Sequence, residues 1–114
     1  MIDLDEQLFP LDHTFIGFHT HAQIEALEEE FAAAKADEWF AVTALAGAAY
    51  GLRSAARVPA NAPIAVAIDR AQDRTRAGDT RAARRLAEFT AAASDYEGAR
   101  TAVEAIRQQA HTRR

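Results

Sequence analysis

Helical spacing in an alanine-rich chain constrains this protein more than any motif it carries. Twenty-nine of its 114 residues are alanine, the best helix former and a poor contributor of core area. From Thr20 to His111 the larger apolar residues recur at three- and four-residue steps, as on one face of an α-helix. No alternating strand pattern competes with this outside the N-terminus. The expectation is an all-α chain: a four- or five-helix bundle (residues 20–114) with a non-helical N-terminal arm (residues 1–19), one domain overall.

The arm is set apart by Leu8, Phe9, Pro10, Leu11, Phe15, Ile16, Gly17 and Phe18, which give apolar content without helical spacing. We read it as an ordered segment packing its aromatics on a helical body. Thr20-His21-Ala22-Gln23 then has the form of a capping box. Ile24, Leu27, Phe31 and Ala34 follow on one helix face. The stripe continues in phase through Val42, Leu45, Ala49 and Leu52, yet a helix of about forty residues is rare in a small domain, so a break is expected at Ala36-Asp37. Trp39 to Ala56 is apolar nearly all round and reads as the core helix. Val58 to Pro63, with two prolines and an asparagine, is the clearest loop. Pro63 suits the first turn of a third helix carrying Ile64, Ala67, Ile68 and Ala71. Gly78 supplies a left-handed exit, and Asp79 or Thr80 caps a fourth helix with Ala82, Leu86, Phe89 and Ala93 on one face. Ser94 or Asp95 is expected to cap a fifth, carrying Tyr96, Ala99, Val103, Ile106 and Ala110. The large residues on these phased faces, Leu45, Leu52, Leu86, Phe89, Val103 and Ile106, are the expected core.

Charge is sorted along the chain. Residues 1–50 hold ten carboxylates against Lys35 alone, a net of −9, whereas residues 51–114 hold twelve arginines against seven carboxylates, a net of +5. Opposite potentials of this kind steer association and set register, within a chain or between copies. Arginine exceeds lysine twelve to one, which suits a GC-rich bacterial genome as well as any functional demand.

Several classes of function are disfavoured. The chain has no cysteine, hence no disulfide, thiolate metal site or cysteine nucleophile. The acidic start Met1-Ile2-Asp3-Leu4-Asp5-Glu6 lacks the basic region of a secretory signal. The longest uncharged run, Trp39 to Leu52, is shorter than the roughly 18 residues a membrane span needs. A soluble, cytoplasmic protein that does not enter membranes is expected. Arg70, Arg74, Arg76, Arg81, Arg84 and Arg85 gather around Gly78, but Asp69, Asp73 and Asp79 dilute their field and the pI near 5.5 opposes phosphate affinity, so nucleic acid is not an expected partner.

Four constellations remain as candidate sites. Gly47-x-x-x-Gly51, with Ala44, Ala48 and Ala55, makes a helix surface without bulk. Two helix-interior glycines cost about 1 kcal/mol each against alanine, and close approach of another helix would compensate. Trp39, Phe40 and Tyr50 could wall a small ligand pocket. His13, His19, His21 and Glu25 carry ligand types suited to zinc or iron, but their spacing matches no metal motif, so neither metal nor other cofactor is expected. Glu28-Glu29-Glu30 reads as a solvated helix face. Ser54 and Ser94 have neither a nearby histidine nor a glycine elbow.

No residue pattern identifies a reaction. The thin core of an alanine-heavy monomer, the small-residue face and the charge split point to a non-enzymatic protein–protein interaction or assembly module, such as a regulator, immunity or accessory protein. It would act as a homo-oligomer, most simply a homodimer, with a heteromeric protein partner also open. The competing class is a small-ligand- or metal-binding helical domain, such as the accessory subunit of an enzyme.

Overall fold

The structure, a computed structural model, describes residues 21–112. The N-terminal arm, the Thr20 cap and the histidines at positions 13 and 19 lie outside the described residues. Among those described there are three helices and no strand: α1 (His21–Ala56), α2 (Ile64–Arg76) and α3 (Thr80–Thr112). The all-α class stands, and the four- or five-helix count is corrected to three.

The two missing boundaries have the same physical origin. α1 passes through Ala36 and Asp37 without interruption. No proline or glycine occurs between His21 and Ala46, Asp37 points to solvent, and Lys35 pairs with Glu38 across one turn at 2.7 Å. α3 likewise runs through Ser94 and Asp95, both exposed in mid-helix. A serine or aspartate caps a helix only where the preceding turn has ended, and Ala91-Ala92-Ala93 lets the hydrogen-bond ladder continue.

The real boundaries are chemically explicit. After α1, the Val58 N–H donates to the Arg53 carbonyl and the Arg57 N–H to the Ser54 carbonyl, both at 3.1 Å, while Arg57 takes φ +60°. That is a Schellman exit with arginine in the position glycine usually fills. The loop is tied back by Arg53, whose Nε donates to the Ala62 carbonyl at 2.9 Å. Pro63 stands one residue ahead of α2, at its N-cap, and its carbonyl accepts from Val66 at 3.0 Å. α2 closes by the same motif: Gly78 has φ +95°, and Asp79 and Gly78 donate to the Arg74 and Thr75 carbonyls at 2.9 and 3.0 Å. Asp79 then starts α3, its Oδ1 accepting the Ala82 N–H at 3.0 Å and its Oδ2 accepting from Arg74 Nε at 2.9 Å.

The residues gather into two compact units. In the first, built from residues 21–39 and 98–112, Leu27, Phe31 and Ala34 of α1 are buried with Val103 and Ala110 of α3, and Ile106 packs against them. The Arg107 guanidinium lies 5.5 Å from the Phe31 ring centre, within cation–π range. The second unit, residues 40–97, buries Leu52, Ala56, Ala67 and Ala71, with Val58, Ile64, Ile68, Leu86 and Phe89 half-buried around them. Of the expected core, Leu52 and Val103 are buried and Leu86, Phe89 and Ile106 flank the clusters. Leu45 is half-buried and belongs to neither. Leu52 is the largest fully buried side chain. Alanines supply much of the rest, so the helices approach closely but bury little area per residue.

Candidate interaction surface

Within the second unit α1 presents two opposite stripes. Leu45, Ala48, Leu52 and Ala55 recur at three- and four-residue steps and are half-buried or buried. On the other side Phe40, Thr43, Gly47, Tyr50 and Ser54 follow the same alternation, and all five are exposed. A 3-4-3-4 repeat is the seam of a helix pair. Here its aromatic members are turned outward: Phe40 is 65% exposed and Tyr50 68%. No ionisable group except the Tyr50 phenol occurs from Trp39 to Leu52.

The small residues singled out from sequence divide between the stripes. Ala55 is buried and Ala48 half-buried on the inner side, while Ala44 and Gly47 are exposed. Gly51 faces the stem of Arg85: a Cβ built there would lie 3.5 Å from Arg85 Cδ, an ordinary contact. What approaches Gly51 within the chain is therefore a side chain, not a helix backbone. A Cβ at Gly47 would meet nothing within 4 Å among the described residues.

Of the aromatics expected to wall a pocket, Tyr50 lines an open cavity of about 230 Å³ with Ser54, Val58 and Ala60. Trp39, 61% exposed, and Phe40 are not among its lining residues. Ligand sites usually fall between about 300 and 1,000 Å³ and enclose most of their ligand. His21 Nε2 lies 2.6 Å from Glu25 Oε1 on an exposed turn of α1. Among the described residues no three metal-capable side chains come together.

Three of the six arginines around Gly78 are engaged with neighbouring carboxylates. Arg74 meets Asp79 at 2.9 Å, Arg76 meets Asp73 at 2.8 Å and Arg85 meets Glu88 at 2.9 Å. Asp79 is held below the usual carboxylate range, first by the Ala82 N–H and then by Arg74 as donor and charge, against an opposing contribution from desolvation. This is the chemistry of a helix cap rather than of an acid–base catalyst.

Sequence reasoning missed the character of Glu28. Glu29 and Glu30 are exposed as expected, but Glu28 is 5% exposed among the buried residues of the first unit. The signal was present: Ile24, Leu27, Glu28 and Phe31 occupy steps i, i+3, i+4 and i+7 of one helix face. The outward side of Phe40 and Tyr50 was missed for the converse reason, because an all-round apolar segment does not say which side will be covered.

No described helix is long and apolar enough to cross a membrane. No protein-family model matches this sequence, and no curated protein or solved structure shows significant similarity to it.

Proposed function

We propose that this protein is a non-enzymatic helical interaction module that works as a homo-oligomer, in its simplest form a two-fold dimer. The observation that carries the reading is the exposed aromatic stripe on the uncharged middle of α1. Large apolar side chains arranged at helix-pair spacing, on a chain whose own core is mostly alanine, mark a surface for a protein partner. The thin core supports it further, since small helical chains commonly complete their burial by association.

The ligand-binding reading has in its favour only the cavity beside Tyr50, which is open and below the usual size of such sites. Light scattering coupled to gel filtration at micromolar concentration decides between them. Twice the 12.4 kDa chain mass is the expected result. A single-chain mass across the accessible concentration range, or a small molecule co-purifying in proportion to protein, would count against the proposal.

A further inference from the structure

We infer that the occupant of the exposed Phe40–Tyr50 stripe is the same stripe of a second copy, with the two α1 helices antiparallel and crossing near Ala46 and Gly47. The inference rests on the homo-oligomer reading above and adds to it a face and a direction.

Charge selects the face. In a two-fold contact, every group near the axis meets its own copy, so like charges there oppose one another. Trp39 to Leu52 is the longest run of this chain without Asp, Glu, Lys or Arg. It is the stretch that can meet itself with no such cost. Gly47 lies midway between Phe40 and Ser54 on the stripe and has open space over its backbone, so a crossing there brings the helices close while Phe40 and Tyr50 pack to either side.

Charge also selects the direction. Ahead of the uncharged run, α1 carries Glu25, Glu28, Glu29, Glu30, Asp37 and Glu38 against Lys35; after it come Arg53 and, at the helix exit, Arg57. A parallel pair would set the acidic half of one copy beside that of the other and align the two helix dipoles. An antiparallel pair crossing at Ala46–Gly47 brings Arg53 and Arg57 of each copy to within about one turn of the level of Asp37 and Glu38 in the other, and opposes the dipoles. The apolar stripe supplies the attraction, and the flanking charges choose the orientation.

The chain contains no cysteine, so a nitroxide on Ser54→Cys, an exposed position, reports a single inter-copy distance by pulsed dipolar spectroscopy. Two antiparallel helices crossing at Ala46–Gly47 place the two labels roughly 20–30 Å apart, from a rise of 1.5 Å per residue and an interaxial distance of about 9 Å. That distance, lost on adding Tyr50→Lys while circular dichroism shows helix content unchanged, is the expected result. A separation under about 15 Å means parallel pairing and overturns the direction while leaving the homo-oligomer reading intact. A 20–30 Å distance that survives Tyr50→Lys overturns the face. Absence of dipolar modulation together with a single-chain mass overturns both.

Discussion

Arg57 and Gly98 show how much single positions can be improved or spoiled without touching a contact. Arg57 is held at φ +60°, a conformation that costs a residue with a Cβ about 1–2 kcal/mol and costs glycine almost nothing. Arg57→Gly is therefore expected to raise stability by about 0.5–1 kcal/mol in urea titration, and Arg57→Val to lower it. Gly98 lies inside α3, where a Cβ would meet nothing within 4 Å among the described residues, so Gly98→Ala should add roughly 0.5–1 kcal/mol through helix propensity alone. Gly47 has the same open surroundings within the chain. If Gly47→Ala gains as much as Gly98→Ala, and Gly47→Leu leaves the oligomer undisturbed, the proposed crossing point is wrong. Leu52 is the opposite case. It is fully buried among Ala56, Ala67 and Ala71, and Leu52→Ala should cost about 2–5 kcal/mol, because small neighbours leave little with which to refill the space.

At the level of elements, the α2–α3 connection is the most chemically determined part of the molecule. Gly78 turns the chain, Asp79 caps α3, and Arg74 bridges from the last turn of α2 to the same carboxylate. The carboxyl of Asp79 titrates below its ordinary value of 3.8. Its contribution to stability is therefore complete above the unfolded-state pKa and is lost as pH falls through the lower, folded-state pKa. Asp79→Asn keeps a capping oxygen but cannot titrate. Thermal melts of this variant should show a shallower loss of stability on acidification below about pH 3.8 than the parent shows. An unchanged acid limb would mean that other carboxylates carry the effect.

For the whole molecule, the balance between burial and chain entropy is the governing quantity. Ordering a residue costs about 1–2 kcal/mol, and a core in which alanine outnumbers leucine, phenylalanine and valine offsets that poorly. Association through the outer stripe of α1 would contribute the missing area and would make stability depend on protein concentration. The melting temperature should thus rise as concentration is raised from the low to the high micromolar range. It should fall only modestly when salt is increased, because exposed ion pairs contribute little beside apolar burial. A melting temperature independent of concentration would argue for a stable monomer.

The sequence by itself determined what depends on near neighbours. Helix follows from the alanine content and the 3.6-residue phase, the turn at Gly78-Asp79 from a glycine that tolerates positive φ and a carboxylate three residues ahead of an orphan N–H, and the loop at Val58–Pro63 from its prolines. Such effects act within a turn or two and can be read residue by residue. Asp37, Ser94 and Asp95 mark the limit of that reading, since each can cap a helix or sit on its surface, and continuity of the surrounding ladder decides which. Only tertiary packing decided which side of α1 would be covered. Trp39 to Leu52 is apolar around its whole circumference, so periodicity assigns it no inner face. The partners on α2 and α3 cover Leu52 and Ala56 and leave Phe40, Gly47 and Tyr50 outward, because they present Ala67, Ala71, Leu86 and Phe89 to one side of that helix alone.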